Sequence, residues 1–174
     1  AYIPTNVISI TDGQLFLQVD LFNSGQIPAV DPGLSVSRVG GAAQTPIIKK
    51  QSGSIKLELA QFRELEAFTK FGSDLDENTT RVIEHGKRLM EILKQEANKP
   101  LTMAEEAIIL YAINNKFLVD VEVEDVKKFE LGLYKYLNTK HADVVKLMNK
   151  ELKLTDEVAS ALDKVVTEYK KSEF

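Results

Sequence analysis

Residues 55–68 read IKLELAQFRELEAF, and the spacing of their apolar side chains predicts a helix. These side chains recur at intervals of four and then three residues: Ile55, Leu59, Phe62, Leu65 and Phe68. That period places them on one face of an α-helix, as expected for a helix that packs on a core. Gly72 follows the stripe and predicts the end of the helix.

Further helices are predicted from here to the end of the chain. Asp76 predicts the start of the next one, and Gly86 within it indicates close packing or a bend. Thr102 to Glu105 reads as a capping box, in which hydroxyl and carboxylate each satisfy a free backbone amide. Further helices are expected from about Val123, over 142–152 and after a cap at Thr155. Five or six helices with short loops predict a mainly α fold, an antiparallel bundle over residues 45–174.

The first 45 residues have a different pattern. Short β-branched or apolar runs at Val7–Ile10, Leu15–Leu17 and Leu34–Val39 are separated by turn residues such as Asp12-Gly13. We expect a few short β-strands that belong to a larger sheet. Because the chain starts at Ala1 with strand-like residues, it is expected to be a piece of a longer protein.

Composition excludes several classes of function. The 174 residues include no cysteine and two histidines, His85 and His141, so thiolate metal sites are excluded and a multi-histidine centre is disfavoured. The formal net charge of −4 argues against a nucleic-acid-binding domain. No apolar run approaches the roughly 20 residues of a membrane span. The phosphate-binding pattern GxxxxGK[ST] is absent from the sequence.

One stretch combines polar groups that could act together. Residues 28–41 read PAVDPGLSVSRVGG and place two hydroxyls and a guanidinium beside glycine turns, at Ser35, Ser37 and Arg38. Strand alternation would put the two serines on one face. From the residues alone, Arg38 is either an ordinary surface arginine or a group that reaches outward. Acidic pairs such as Glu105-Glu106 are interpreted as helix starts and solvated helix faces.

Several long motifs in order resemble one family. They are AYIPTNVISITDGQ at 1–14, PAVDPGLSVS at 28–37, SVSRVGGAAQ at 35–44, LELAQFREL at 57–65 and FGSDLD at 71–76. Together they resemble the α subunit of F-type ATP synthases over essentially the whole chain. The resemblance implies that residues 1–44 are the last strands of a P-loop NTPase-type nucleotide-binding domain. Residues 45–174 would then be the C-terminal helical domain.

The resemblance also implies roles for individual residues. Arg38 would be an arginine finger that reaches ATP held by a neighbouring β subunit, and Ser35 would be required for the same catalysis. Ser35 and Ser37 would hold the strand and neighbouring polar groups, and Ser9 would lie near the same nucleotide-binding interface. The chain is therefore expected to contribute to an enzyme only within the assembled complex.

A second, non-catalytic nucleotide site is implied by Pro28 and Gln95. In the family, an Arg-Pro pair and glutamines after a helix line the adenine pocket, and Pro28 and Gln95 match this pattern. Ile27 stands where the arginine is usual, and Ala97 where a second glutamine is common.

The resemblance to this family also implies the cofactors, the partners and the location of the complex. ATP or ADP with Mg²⁺ would bind in the full complex, with no nucleotide held tightly by this fragment and no metal ligands of its own. Partners would be β subunits in an alternating hexamer, a central γ shaft and a peripheral stalk, without nucleic acid or membrane insertion. The complex would lie on the cytoplasmic face of a bacterial plasma membrane, or on the inner mitochondrial membrane in a eukaryote. Alternatives are a free-standing helical interaction module and a subunit of a paralogous rotary ATPase. An independent hydrolase that uses Ser35 or Ser37 is disfavoured, because no base is expected nearby.

Overall fold

A computed structural model describes residues 1–69 and 76–174, with the side chains of Phe68 and Thr69 excepted. The predicted helix end at Gly72 lies outside the described residues. The mainly helical fold is confirmed. From residue 45 onward the α-helices are α4 (Pro46–Ser52), α5 (Ile55–Thr69), α6 (Glu77–Ile92), α7 (Met103–Asn114), α8 (Val126–Lys140), α9 (Ala142–Glu151) and α10 (Asp156–Ser172). Helix α4 was not predicted, and a 3₁₀ turn at Val123–Asp125 leads into α8.

The predicted helix starts are confirmed by hydrogen bonds. The Asp76 carboxylate accepts from the Thr79 amide at 2.8 Å. In α7 the Thr102 hydroxyl accepts from the Glu105 amide, while the Glu105 carboxylate accepts from the Thr102 amide at 2.8 Å. These bonds satisfy amides that lack a partner within the helix, so the starts are set locally by the sequence.

The core of the described residues lies among these helices. Helix α7 is buried on more than one face and is the central helix, and the other helices contribute one apolar stripe each. Its buried side chains are Ala104, Ala107, Ile108, Ile109, Tyr111, Ala112 and Ile113. In α5 the predicted stripe is buried at Ile55, Leu59 and Phe62 and half-buried at Leu65.

Residues 1–44 form short elements that contribute no buried hydrophobic side chain to the described structure, whose buried hydrophobic residues begin at Ile47. The elements are α1 (Tyr2–Ile10), β1 (Gly13–Gln14), α2 (Val19–Asn23), β2 (Val36–Ser37) and α3 (Arg38–Ala43). Strands β1 and β2 are antiparallel, with Gly13 opposite Ser37 and Gln14 opposite Val36.

The strand predicted at Val7–Ile10 is wrong, because these residues are helical in α1. A helix satisfies its own backbone, as in the 3.1 Å bond from the Thr11 amide to the Val7 carbonyl, whereas a strand needs a neighbour. No neighbouring strand is present for residues 7–10 in the described part of the chain.

The other two predicted strands are shorter than expected. Of residues 15–17, only Leu17 pairs, in an isolated bridge to Val30. The strand at Leu34–Val39 covers only two residues, since the Ser37 hydroxyl caps a helix that begins at Arg38. No helix within the described ranges is both long enough and apolar enough to cross a bilayer.

Candidate functional site

The turn that precedes Arg38 is organised by the buried carboxylate of Asp31. Its Oδ1 atom accepts from the amides of Gly33 at 2.7 Å and Leu34 at 3.2 Å. The Asp31 carbonyl accepts from the Ser35 amide at 3.0 Å. The sequence therefore folds into a tight polar turn, of the kind that aspartate favours, before β2 begins.

Ser35 and Ser37 hold this segment against the chain that precedes it. The Ser35 hydroxyl accepts from the Phe16 amide at 3.0 Å. The Ser37 hydroxyl donates to Oδ2 of Asp12 at 2.9 Å and accepts from the Gly40 amide at 3.0 Å. Both serines thus join the segment that carries Arg38 to residues 12–16, and the role expected of them stays a prediction.

Arg38 is the first residue of α3 and its side chain is exposed. Its Nε atom donates to the Asp12 carbonyl at 3.1 Å, and Nη2 donates to the Thr11 carbonyl at 3.4 Å. Within residues 1–69 and 76–174, no carboxylate forms an ion pair with its guanidinium. The side chain is therefore oriented by two backbone carbonyls, and the Asp12 carboxylate lies close enough to interact electrostatically with its charge.

Sequence reasoning does not identify Asp12 as a site residue, because the dipeptide Asp12-Gly13 by itself indicates only a turn. The Asp12 carboxylate accepts from the Val39 amide at 2.7 Å in addition to the Ser37 hydroxyl. These bonds favour the ionised form, first that from Val39 and then that from Ser37, so the pKa of Asp12 lies below its ordinary value. The spacing of 25 residues between Asp12 and Ser37 carries no local signal of this contact.

Helix α5 contacts the same turn from the helical side. Nη1 of Arg63 donates to Oδ2 of Asp31 at 2.9 Å, and Gln18 donates to the same oxygen. Burial alone would raise the pKa of Asp31, but the bonds from Arg63 and from the Leu34 and Gly33 amides outweigh it. The pKa of Asp31 therefore lies below its ordinary value.

Pro28 and Gln95 are brought together, although 67 positions separate them in the chain. The Gln95 amide donates to the Ile27 carbonyl at 2.9 Å, and its side chain donates to the Lys99 carbonyl at 3.0 Å. A cavity of about 380 Å³ lies between the two segments, with Ala97 also in its wall. This volume suits a small ligand, and the role of the two residues stays a prediction.

Ser9 is not brought to this arrangement by any hydrogen bond in the described structure. It lies on α1, where its hydroxyl donates to the Asn6 carbonyl at 2.9 Å. Its expected place near the interface stays a prediction. Among the described residues no group of three His, Cys, Asp or Glu side chains could hold a metal ion, and the two histidines pair with Glu58 and Glu168.

Comparison with known proteins identifies the family. Residues 44–169 match the ATP synthase alpha/beta chain, C terminal domain, and residues 1–37 match the nucleotide-binding domain of the ATP synthase alpha/beta family. The chain belongs to the ATP synthase α/β family. The resemblance seen in the sequence motifs is thereby confirmed, while the exact division between residues 44 and 45 stays a prediction.

Individual relatives within the ATP synthase α/β family are α subunits. ATP synthase subunit alpha of Clostridium botulinum (strain Eklund 17B / Type B) is 55% identical over 171 residues, which is 98% of this chain and 34% of that protein. The subunit alpha of Alteromonas mediterranea is 51% identical over 170 residues, 98% of this chain and 33% of that protein. The chain thus spans about a third of the length of these relatives.

Proposed function

We propose that this chain acts in an ATP synthase α subunit and supplies Arg38 to ATP bound by a neighbouring β subunit. The observation that carries the proposal is the state of the Arg38 guanidinium. It is exposed, oriented by two backbone carbonyls and paired with no carboxylate of the described residues. A planar, preoriented cation of this kind is suited to a phosphoryl group that gains charge in the transition state.

The proposed reaction is ATP synthesis and hydrolysis coupled to ion transport, with Mg²⁺ and the nucleotide held by the assembled complex. Partners would be β subunits in an alternating hexamer, a central γ shaft and a peripheral stalk. The complex would lie at the cytoplasmic face of a bacterial plasma membrane or at the inner mitochondrial membrane. Ser35 and Ser37 would hold the segment that carries Arg38, since both bond to the backbone or side chains around it.

A non-catalytic nucleotide is proposed to occupy the cavity between Pro28 and Gln95. Two features support this: the two segments are joined through the Gln95 amide, and the cavity has the size of a small-ligand site. Ile27 and Ala97 line it in place of the arginine and glutamine that the resemblance implies, so hydrophobic contact with a base would replace part of the polar recognition.

The test of the proposed function is Arg38→Ala in the assembled complex. Arginine fingers contribute roughly 10³- to 10⁵-fold to related phosphoryl transfers, so steady-state ATP hydrolysis should fall by about 10³-fold or more while the complex still assembles. The charge-matched control is Lys164→Ala, which removes an exposed cation on α10 and should leave turnover unchanged. Hydrolysis by Arg38→Ala near the wild-type rate would remove Arg38 from the mechanism.

A further inference from the structure

Helix α5 of the helical region holds the turn before Arg38 at two points. Near the middle of the helix, Nη1 of Arg63 donates to Oδ2 of Asp31 at 2.9 Å. Near its start, Nζ of Lys56 lies 3.4 Å from the Ser35 carbonyl and donates to it. The two contacts act on the first and last residues of the 31–35 turn, and the shorter one, between Arg63 and Asp31, opposes a shift of the turn relative to α5.

Asp31 links Arg63 to the backbone of the turn, because its carboxylate accepts hydrogen bonds from both. Its side chain is 4% exposed, and its two oxygens are shared between Arg63 and Gln18 on one side and the Gly33 and Leu34 amides on the other. A carboxylate with all these donors has one favourable position. The location of the Arg63 guanidinium therefore determines where the amides of the turn are placed.

Stability alone explains this ion pair poorly. Nη2 of Arg63 is buried and has no hydrogen-bond partner among the described residues. A buried donor without a partner lowers stability, and an ion pair whose arginine side chain is 30% exposed contributes little to stability by its charge. What an apolar pair could not replace is the fixed geometry of the turn.

We propose that Arg63 is a positioning residue, which acts through Asp31 to fix the 31–35 turn and so the place from which the Arg38 side chain extends. This inference rests on the proposed role of Arg38 and adds to it a link from the helical region to the reacting phosphate. Arg38 follows Ser35 by three positions, so a shift of the turn moves the guanidinium. Misplacement of a catalytic group by about 1 Å can cost about 10²-fold in rate.

The experiment compares variants of the assembled complex. Arg63→Gln should lower kcat for ATP hydrolysis about ten- to hundredfold with KM for ATP nearly unchanged, since ATP is held by the neighbouring subunit. Arg63→Lys should keep most of the activity, because the single bond from Nη1 to Asp31 can be made by an ammonium group. Asp31→Asn keeps an oxygen for the Gly33 and Leu34 amides but loses the charge, and it should resemble Arg63→Gln.

The double variant Asp31→Asn/Arg63→Gln tests whether the two residues act as a unit. Its kcat should fall no further than that of the more impaired single variant, because residues in contact are non-additive. Lys164→Gln, which removes an exposed cation on α10, is the control and should match the wild type.

Three outcomes would overturn the inference. They are a wild-type kcat for Arg63→Gln, additive effects in the double variant, and a loss of assembly or thermal stability that parallels the loss of activity. The last would assign Arg63 a purely structural role. Impaired turnover in Arg38→Ala with normal turnover in Arg63→Gln would reject this inference alone, whereas normal turnover in Arg38→Ala would reject the proposed function as well.

Discussion

At residue 86 the packing leaves room for a glycine only. A Cβ atom built there would lie 2.3 Å from two ring carbons of Phe62, which is buried on α5. The sequence predicted close packing or a bend at this interruption of α6, and the structure shows close packing. Helices α5 and α6 therefore approach each other closely at this position, with the Phe62 ring against the α6 backbone.

Gly86→Ala tests this contact through the free energy of unfolding. A methyl group raises helix propensity by about 1 kcal/mol, but overpacking a core costs typically about 1–3 kcal/mol, so we expect net destabilisation of up to about 2 kcal/mol. Urea titration followed by helical circular dichroism measures it.

The control for this substitution is Gly41→Ala in α3. A Cβ there meets nothing within 4 Å, and stability should be unchanged or higher by about 0.4–1 kcal/mol. Equal midpoints for the wild type and Gly86→Ala would contradict the packing described here.

Two aspartates beside the candidate site, Asp12 and Asp31, use their carboxylates in the same way. Asp12 and Asp31 each accept backbone amides, and each lies next to an arginine contact. The sequence analysis identified the residues that would act, Ser35, Ser37 and Arg38, but not these two acids that hold them. Their partners Ser37 and Arg63 lie 25 and 32 positions away in the chain. The helix and strand periods of a sequence do not indicate contacts over such separations.

At the scale of elements, α7 shows how local rules and burial combine. Its capping box sets the start at Met103, and its apolar residues surround the helix on more than one side, so it becomes the central helix of the bundle. The sequence predicted the cap correctly. It did not predict the central position, because that depends on which helices pack around α7.

Thr102→Ala should remove the cap of α7. Loss of a hydroxyl cap costs typically about 1 kcal/mol, and the midpoint of chemical unfolding should fall accordingly. Thr139→Ala is the matched control, because the Thr139 hydroxyl bonds to the Lys135 carbonyl within α8 and caps no amide. A Thr102→Ala midpoint equal to that of the control would show that the cap contributes little.

Helix α1 shows the opposite case at the same scale. Residues 7–10 have β-branched alternation and were predicted as a strand, yet they are helical. Strand propensity reflects fit to a pleated, paired surface rather than an intrinsic backbone preference. Without a paired neighbour in the described structure, the segment forms the element that satisfies its own hydrogen bonds.

At the scale of the whole molecule, residues 1–44 and the helical region differ in how far their hydrophobic side chains are buried. The buried hydrophobic residues of the described structure lie from Ile47 onward, while most of the exposed large hydrophobic side chains lie in residues 1–44. Examples are Tyr2 at 82% exposed, Ile10 at 82% and Leu17 at 74%. Exposed apolar surface on this scale marks an interaction surface or a tendency to aggregate.

We therefore expect the 174-residue chain to self-associate through residues 1–44. Sedimentation velocity should show dimers or larger species that increase with protein concentration. Residues 45–174 alone retain the core and should sediment as a monomer under the same conditions. A concentration-independent monomer for residues 1–174 would contradict this expectation.

The amino-acid sequence by itself determined the helices from residue 55 onward, their capping residues, the family and the stretch that contains Arg38. These features depend on contacts between residues three or four positions apart, or on contiguous motifs. They therefore do not depend on where the segment lies in the folded protein. Only the tertiary structure decided that α1 is helical, that Pro28 faces Gln95, and that Asp12 and Asp31 hold the segment around Arg38. Helix α1 forms from local bonds because no neighbouring strand is paired with it in the described structure. The contacts of Gln95 with the segment of Pro28, of Asp12 with Ser37 and of Asp31 with Arg63 join residues tens of positions apart, and their free energy exists only when the two segments have folded beside each other.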